Sequence, residues 1–463
     1  MVDNNIIVAI STPAGIGGIA VVRVSGKGSI ELVDTVFRAS NNKRLAEQKA
    51  NTIHFGVIVK EDVLLDEVLV SLFRAPHSFT GEDVVEISCH GSVYIQQNIL
   101  QFMISKGASL AKPGEFTQRA FLNGKMDLSQ AESVADLIAS SSASTHRLAM
   151  NQMRGGFSNK LMELRTELLN FTSLIELELD FSEEDVEFAN RENLKELAYD
   201  IVKHIEKLAD SFSVGNAVKN GIPVAIIGET NAGKSTLLNL LLHEEKAIVS
   251  DIHGTTRDVI EDTINIQGLT FRLIDTAGIR DTMDEIESIG IERTFQKIEQ
   301  ASIVLWIADA EATDEHIEEL AQRILPITKD KKLILVFNKV DAISCERKEN
   351  KEYLLIDKIP ERIFISAKYK QGTDELENLL VQAANIPEIG EQDIIVSNIR
   401  HYEALQKALD AIKRVSDGLD LNLSGDFIAQ DIRECLHYLG EITGQISTDE
   451  ILGNIFSKFC IGK

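Results

Sequence analysis

The chain has 463 residues, of which 44% are hydrophobic and 26% are charged. This length predicts about two to four domains, each able to bury a core, and the composition is ordinary for a soluble globular protein. A formal net charge of −25 argues against nonspecific nucleic-acid binding by the whole surface. A local basic patch or a basic partner remains compatible with that charge.

The four cysteines are scattered along the chain and include no Cys-x-x-Cys pair. Their spacing fits a reducing compartment and predicts neither a zinc site nor a disulfide-linked partner. Residues 1–5 lack a basic n-region, and no apolar run approaches the length of a membrane-spanning helix. We therefore expect a cytoplasmic protein without membrane association.

The N-terminal part of the chain alternates short apolar runs with turn residues. These runs predict strands over residues 6–10, 19–24, 53–59, 68–73 and 84–88, followed by a helix over 93–105. After Pro113 and Gly114, helical periodicity dominates to about Asp210. The apolar positions at helical spacing are expected to face a core: Leu161, Leu164, Leu168, Leu169, Ile175, Leu194, Leu197, Ile201, Ile205 and Leu208.

A phosphate-binding motif lies in the middle of the chain. Residues 222–227 predict a buried strand, a helical pattern resumes at Leu237, and Gly228-x-x-x-x-Gly233-Lys234-Ser235 stands between them. Glycines let backbone N–H groups turn toward phosphate oxygens, and the helix N-terminus adds partial positive charge. Lys234 suits the β- and γ-phosphates, and the Ser235 hydroxyl suits Mg²⁺. The strand before and the helix after argue against a chance match.

Further apolar runs over residues 269–274, 303–307, 333–337 and 363–365 alternate with helical segments. This alternation predicts a parallel α/β sheet. The simplest organisation is a nucleotide-binding domain at 215–381, inserted between two parts of one helical domain at 120–214 and 382–463. Residues 1–119 form a separate N-terminal domain. Insertion at a loop is tolerated where the two chain ends lie close together.

Four other motifs predict that the nucleotide is GTP. Asp275-Thr-Ala-Gly278 ends a strand and supplies a carboxylate for Mg²⁺, and Gly254-Thr-Thr-Arg257 precedes it with threonine hydroxyls. Asn338-Lys339-x-Asp341 follows another strand, and its carboxylate can accept two N–H bonds that guanine offers and adenine lacks. Ser366 and Ala367 follow the last strand and suit a contact to the guanine oxygen.

Ile279 stands where Ras-like enzymes use a glutamine to position the attacking water. Because an aliphatic side chain cannot position water, either hydrolysis is very slow or water positioning and charge compensation come from elsewhere. The side-chain oxygen of Asn231 suits a monovalent cation, and oxygens of residues 250–255 could complete its shell. The nearby candidates for water positioning or charge compensation are Arg257, Arg280, Glu285 and Glu287.

Motifs outside the phosphate loop are more specific. They include Thr12-Pro-Ala-Gly-Ile-Gly-Gly18, Ser78-Phe-Thr-Gly-Glu-Asp-Val84, Arg119-Ala-Phe-Leu-Asn-Gly-Lys125 and Cys460-Ile-Gly-Lys463. Over essentially its whole length the chain resembles the MnmE (TrmE) family of bacterial tRNA-modification GTPases. The resemblance implies a multidomain α/β fold. A Ras-like P-loop GTPase domain is inserted in a discontinuous α-helical domain, after an N-terminal α+β domain that binds folate and dimerises.

The resemblance also implies an activity. With the flavoprotein MnmG, the family adds a carboxymethylaminomethyl or aminomethyl group to C5 of the wobble uridine of certain tRNAs. The reaction depends on GTP, Mg²⁺ and K⁺, and a 5-formyl- or methylene-tetrahydrofolate is the one-carbon cofactor. The implied assembly is a homodimer that joins MnmG in a heterotetramer, with hydrolysis activated when two GTPase domains meet.

The family's functional residues carry over by position. The catalytic set is Glu287, which orients water, with Asn231 and Lys234. The Mg²⁺ ligands are Ser235 and Thr256, and the K⁺ ligands are Asn231, Ser250, Ile252 and Thr255; Ser250 stands where many relatives have threonine. The GTP-binding set is Asn231, Ala232, Gly233, Lys234, Ser235, Thr236, Ser250, Asp251, Ile252, His253, Gly254, Thr255, Thr256, Asp275, Thr276, Ala277, Gly278, Asn338, Lys339, Asp341, Ser366 and Ala367.

For the folate pocket, the matching positions are Arg23, Glu86, Lys125 and Lys463, with Glu82 as a competitor for Glu86 in the same motif. Cationic side chains suit the glutamyl carboxylates of a folate, and a carboxylate suits the donor edge of its pterin. Cys460 lies four residues from the end and leaves three interpretations open: a prenylation site, a nucleophile in tRNA chemistry, or a tail thiol without covalent role, which we favour.

Two other classes of function stay open on the sequence. One is a regulatory GTPase switch that binds RNA or ribosomes without modification chemistry. The other is a folate-dependent one-carbon enzyme whose GTPase domain only regulates it. The block Arg119–Glu132 and the C-terminal tail favour a modification enzyme, because a pure switch does not need a folate pocket.

Overall fold

The computed structural model describes residues 5–60, 63–180, 191–246, 262–274, 298–387, 390 and 393–462. The chain divides into two compact units. The first unit comprises Met1–Ala139, Ala149–Glu206 and Glu403–Lys463, and the second comprises Ser140–Leu148 and Lys207–Tyr402. Both units are therefore discontinuous in sequence.

The first unit contains a seven-stranded sheet in the order β3-β4-β5-β6-β2-β1-β7. All neighbouring strands are antiparallel except β1 and β7, which are parallel. The strands are β1 (Ile7–Ile10), β2 (Gly17–Ser25), β3 (Phe37–Ala39), β4 (Thr52–Lys60), β5 (Val63–Phe73), β6 (Val84–Gly91) and β7 (Ser109–Leu110).

One face of this sheet forms part of the hydrophobic core of the N-terminal region. Val22, Val70 and Ile87 point to that face and pack with Ile99 and Met103 of the helix Val93–Ser105. A second helix, Ser29–Asp34, joins the same core, and a 3-10 helix lies at Leu45–Glu47. Because side chains alternate along a strand, the residues between these core positions lie on the opposite face.

The rest of the first unit is helical. Leu161, Leu164 and Leu168 are buried on one long helix, whereas Leu169 is 48% exposed. The prediction that Leu169 faces the core is wrong. Leu169 directly follows the buried Leu168, and successive residues are rotated by about 100° around a helix, so Leu169 points away from the core. The helices are Glu115–Leu122, Leu128–Ala139, Gly156–Asp180, Gly425–Thr443 and Asp449–Ser457, with Ala143–Met153, Arg191–Asp210 and Ile399–Asp420 contributing to both units.

The second unit contains a six-stranded sheet in the order β13-β12-β11-β8-β10-β9. Neighbours are parallel except β9 and β10. The strands are β8 (Ile222–Gly228), β9 (Asp262–Ile266), β10 (Leu269–Leu273), β11 (Ile303–Asp309), β12 (Lys332–Asn338) and β13 (Arg362–Phe364). The helices are Phe212–Asn220, Lys234–Lys246, Asp314–Ile324, Cys345–Tyr353 and Thr373–Ala384, with 3-10 helices at Leu325–Ile327 and Val340–Ala342.

Both faces of this second sheet are covered. Leu305 and Val336 pack toward Leu237 on one face, and Trp306 and Phe337 pack toward Ile317 on the other. A parallel sheet with helices on both sides needs apolar residues at successive positions. This arrangement explains the continuous apolar runs in β8, β11 and β12.

The predicted strands are present, and most of their limits shift by one or two residues. β5 begins five residues before its predicted start, and β6 ends three residues after its predicted end. Three further strands were not predicted: β3, β7 and β9. The first two have three and two residues, too few for a periodic signal. β9 has the sequence Asp-Thr-Ile-Asn-Ile and joins β10 through a two-residue turn, Gln267 and Gly268, both at positive φ.

All four cysteines are free thiols, and Cys89 and Cys435 are buried. Burial, with a smaller effect of the Asp66 charge, raises the pKa of Cys89 to about 11. Burial also raises the pKa of Cys435 to about 12. Both thiols are therefore protonated and unreactive near neutral pH. Among the described helices, none is long and apolar enough to cross a membrane.

Phe337 tests the core of the second unit. It is fully buried and stacks on Phe364, with 4.9 Å between ring centroids. We expect Phe337→Ala to destabilise this unit by about 3–5 kcal/mol, through lost burial and a residual cavity. The chain's single tryptophan, Trp306, lies in the same core and reports unfolding in denaturant by its fluorescence.

The matched control is Tyr353→Ala, because Tyr353 is an aromatic residue of the same unit that is 75% exposed. It should change the free energy of unfolding by less than about 0.5 kcal/mol. A similar loss in both variants would contradict the packing described for the sheet.

Candidate nucleotide site and N-terminal cleft

The phosphate loop connects the end of β8 to the helix that begins at Lys234. Gly228 has φ +144° and Gly233 has φ +94°, values that disfavour L side chains. A Cβ at Gly228 would lie 2.2 Å from the Ile307 carbonyl oxygen, and one at Gly233 would lie 2.1 Å from Asn338 Nδ2. Both glycines are therefore required by the close approach of β11 and β12.

The Lys234 side chain contacts the backbone of this loop. Its Nζ donates to the carbonyl oxygens of Gly228 at 2.8 Å and Glu229 at 2.6 Å. The ammonium is thus held where phosphate oxygens would compete for its donors. The Glu229 carboxylate also lies 2.9 Å from His316 Nε2, which fixes the loop to the helix Asp314–Ile324.

The other predicted residues of the loop lie around Lys234. Asn231 is exposed and has φ +68°, a conformation that asparagine tolerates better than most residues. Ala232 is buried, Ser235 is half-buried in the first helical turn, and Thr236 is exposed. A hydroxyl at the start of this helix lies beside the loop that would carry the phosphates.

The buried amide of Asn338 joins this loop to the predicted base-binding segment. Its Nδ2 donates to the Ala232 carbonyl at 2.9 Å, and its Oδ1 accepts from the Ala367 N–H at 3.0 Å. One side chain therefore fixes the distance between the phosphate loop and the residues after β13. From the sequence, Asn338 was predicted to lie near the guanine base. Its contact with the phosphate loop is seen only in the folded structure.

Asp341 and Ser366 also meet. The buried Ser366 hydroxyl donates to Asp341 Oδ1 at 2.5 Å, which orients an exposed carboxylate that retains lone pairs for N–H donors. Lys339 has φ +67°, and its Nζ forms a 2.7 Å ion pair with Asp309 Oδ2 at the end of β11. The motifs after β11, β12 and β13 thus converge at one edge of the sheet.

Several predicted residues lie outside the described ranges, and their roles stay predictions. They are Ser250, Asp251, Ile252, His253, Gly254, Thr255, Thr256, Asp275, Thr276, Ala277, Gly278, Glu287 and Lys463. The same holds for Ile279 and for the other water-positioning candidates, Arg257, Arg280 and Glu285.

In the first unit, Arg23 and Glu86 are direct partners across β2 and β6. Arg23 Nε lies 2.9 Å from Glu86 Oε1, and the Arg23 guanidinium carbon lies 5.5 Å and 5.6 Å from the ring centroids of Phe79 and Phe116. Sequence reasoning missed these two rings. Their only signal was their position: Phe79 lies inside the Ser78–Val84 motif, and Phe116 follows shortly after Pro113 and Gly114.

Lys125 and the C-terminal tail border the same region of the first unit. Lys125 Nζ donates to the Pro76 carbonyl at 3.0 Å, in the loop that carries Phe79. The Gly462 carbonyl accepts from the Ser11 hydroxyl at 3.1 Å, and a Cβ at Gly462 would lie 2.3 Å from the Ile10 carbonyl oxygen. The tail before Lys463 is therefore packed on the end of β1.

The exposed Cys460 is held through its backbone, because its carbonyl accepts from the Gly114 N–H at 3.3 Å. A Cβ at Gly114, where φ is +66°, would lie 2.8 Å from the Phe456 carbonyl oxygen. These contacts fix the tail's path and leave the role of the thiol open.

A parallel sheet with a phosphate loop, followed by polar motifs at the ends of β12 and β13, defines the class of P-loop GTPases. Two family models together match almost the whole chain. The model described as "GTP-binding protein TrmE N-terminus" matches residues 6–125, and the model described as "MnmE helical domain" matches residues 128–460. The chain therefore belongs to the MnmE family, and the predicted fold class is confirmed.

Curated relatives match along the whole chain. A protein of Bacteroides thetaiotaomicron is 61% identical, and one of Flavobacterium johnsoniae is 54% identical, each with 100% of both chains covered. A third, from Parabacteroides distasonis, is 59% identical with 99% of both chains covered. All three bear the name tRNA modification GTPase MnmE.

Gly233 provides a test of the loop geometry. Gly233→Ala should weaken binding of a fluorescent GDP analogue by about a hundredfold or more, because the new Cβ overlaps Asn338 Nδ2 and displaces the loop. The measurement is an equilibrium fluorescence titration of the full-length chain.

The control is Gly453→Ala, because an added Cβ there meets nothing within 4 Å and Gly453 lies inside the helix Asp449–Ser457. It should leave the affinity unchanged. Equal affinities for all three proteins would refute the steric role assigned to Gly233.

Proposed function

We propose that this GTPase acts in tRNA modification together with the flavoprotein MnmG. The pair adds a carboxymethylaminomethyl or aminomethyl group to C5 of the wobble uridine of certain tRNAs. The observation that carries the proposal is the full-length match to proteins named tRNA modification GTPase MnmE, in a chain whose Asn338 joins a phosphate loop to a guanine-type motif. A regulatory GTPase without modification chemistry is the alternative.

GTP is the nucleotide of this proposal. Lys234 binds the β- and γ-phosphates, Ser235 and Thr256 hold Mg²⁺, and Asp341 accepts from the guanine N–H groups. The half-buried Ser235 hydroxyl beside the loop is an oxygen donor of the kind Mg²⁺ prefers. When bound, Mg²⁺ neutralises charge that develops on the phosphate oxygens.

Because Ile279 stands where Ras-like enzymes have the water-positioning glutamine, we assign charge compensation to K⁺ and water positioning to Glu287. Asn231, Ser250, Ile252 and Thr255 would hold K⁺, which supplies positive charge beside the phosphates. Asn231 fits this role because it is exposed on the phosphate loop and offers a neutral oxygen. Glu287 orients water by accepting its proton in a hydrogen bond.

The residues around Arg23 in the first unit suit a folate. Arg23 and Lys125, with Lys463, offer cationic groups for glutamyl carboxylates, and Glu86 offers acceptors for a pterin donor edge. The half-buried Phe79 adds apolar surface beside Arg23, and the fully buried Phe116 ring also lies against the Arg23 guanidinium. Glu86 fits better than Glu82 because it lies beside Arg23, whereas both carboxylate oxygens of Glu82 contact Arg119 and one also accepts from the Ser25 hydroxyl.

A homodimer is supported by the outer face of the first sheet. Ile53, Phe55 and Leu69 lie on that face with exposures of 67%, 53% and 46%, and Phe55 is paired with Leu69 across β4 and β5. Exposed apolar groups on one sheet face are typical of a surface that pairs with another chain. The heterotetramer with MnmG builds on this dimer.

The chain's charge of −25 bears on how tRNA is shared. An acidic surface repels phosphates, so we assign most of the tRNA contact to a more basic partner. We place the reaction in the cytoplasm, where tRNA and reduced thiols occur together.

Cells that lack this chain test the proposed reaction. Nucleoside analysis of their tRNA should reveal loss of the C5-modified wobble uridines, and the wild-type chain should restore them. A chain with Gly233→Ala should fail to restore them, because nucleotide binding is lost. Unchanged wobble uridines in the deletion strain would favour the regulatory alternative.

K⁺ dependence is tested at Asn231. GTP hydrolysis by the wild-type chain should be at least about tenfold faster in K⁺ than in Na⁺ at equal ionic strength, an effect of about 1.4 kcal/mol on the barrier. Asn231→Gly tolerates the positive φ and removes the side-chain oxygen, so the difference between the salts should disappear.

Asn231→Asp is the matched variant because it keeps an oxygen at the same place. It should retain a faster rate in K⁺ than in Na⁺. Equal rates of the wild-type chain in both salts would rule out the proposed cation site.

A further inference from the structure

A buried ionic cluster lies beside the proposed folate cleft. The side chain of Arg119 is 3% exposed, and its NH1 group lies 3.2 Å from both carboxylate oxygens of Glu82. Its NH2 group donates to Glu115 Oε1 at 3.0 Å. One guanidinium thus joins a carboxylate of the loop over residues 76–83 to one on its own helix, Glu115–Leu122.

Stability alone does not account for such a cluster. Burial of charged groups carries a desolvation cost, and apolar replacements of similar volume are often neutral or stabilising. An ionic cluster does, however, fix the distance and angle between the elements that carry its members.

Glu82 connects the loop to β2. It accepts from the Ser25 hydroxyl at 2.8 Å, and the same hydroxyl lies 2.8 Å from Thr80 Oγ1. Ser25 and Thr80 are fully buried. Ser25 lies two residues after Arg23 on the same strand, so these contacts place the loop relative to Arg23 and its partner Glu86.

The loop is also joined to the segment that carries Lys125. Asn123 Nδ2 donates to the Thr80 carbonyl at 2.7 Å, and Lys125 Nζ donates to the Pro76 carbonyl at 3.0 Å. At Gly81, where φ is +78°, a Cβ would lie 3.1 Å from Asn123 Cβ and 3.2 Å from Lys125 Cγ. The loop and this segment are therefore in close contact.

We propose that Arg119 is a positioning residue of the folate site. It does not itself contact the cofactor. Through Glu82 it fixes the spacing between Lys125 on one side and the Arg23–Glu86 pair on the other. A folate carries its carboxylates and its pterin at opposite ends, so its affinity depends on that spacing. This inference rests on the proposed folate site.

Arg119→Met tests it, because methionine fills space and cannot bind Glu82. The full-length variant should bind 5-formyltetrahydrofolate about tenfold more weakly or worse in isothermal titration calorimetry. Its rate of GTP hydrolysis should not change. Val70→Ala is the control for lost stability alone, because Val70 is buried on the opposite face of the same sheet. It should lower the melting temperature and leave folate affinity intact.

A double-mutant cycle with Lys125→Ala separates positioning from general destabilisation. If Arg119 acts by placing Lys125, the effect of Arg119→Met on affinity should largely vanish in the Lys125→Ala chain. Additive losses would overturn the inference. Glu82→Gln weakens the same contact from the other side, because it removes the charge and one of the two acceptor oxygens. It should weaken binding in the same direction and serves if Arg119→Met does not fold.

The outcomes distinguish failure of the proposed folate site from failure of the positioning role of Arg119. A wild-type chain that fails to bind 5-formyltetrahydrofolate overturns the folate site, and with it the role of Arg119. A wild-type chain that binds, with Arg119→Met and Glu82→Gln binding equally well, leaves the folate site in place and overturns the positioning role.

Discussion

The amide of Asn338 is the contact on which the nucleotide site of this chain depends. It bonds to Ala232 in the phosphate loop and to Ala367 after β13, and it is buried between them. A buried amide that lost either partner would leave a polar group unsatisfied, at a cost of about 1–3 kcal/mol. The phosphate loop and the guanine-type motifs are therefore held as one rigid edge of the sheet.

In the first unit, charged groups connect distant segments as the Asn338 amide does in the second. Arg119 and Glu82 tie a loop, a strand and a helix together, and the pair of Arg23 and Glu86 lies on the outer face of the same sheet. In both units, short polar contacts between distant segments set the geometry, while the apolar cores supply most of the burial energy. Cores tolerate exchange of similar side chains more readily than such contacts do.

Prediction from sequence was most successful where a pattern is local. Alternating and continuous apolar runs identified most strands, and the phosphate loop was found from its glycine spacing. The short strands β3 and β7 were missed because they are held by neighbours rather than by their own pattern. Leu169 was misplaced because a stripe of leucines does not define which side of the stripe is solvated.

The sequence by itself determined the class of nucleotide site, because Gly228, Lys234 and Asp341 carry their chemistry at fixed local spacing. It also determined the resemblance that the family models bear out. Only the tertiary structure decided that Glu86 pairs with Arg23 while Glu82 is bound by Arg119. The two glutamates are four residues apart in one motif. Their partners depend on strand register and on a helix more than 30 residues away in the sequence, which local pattern does not encode.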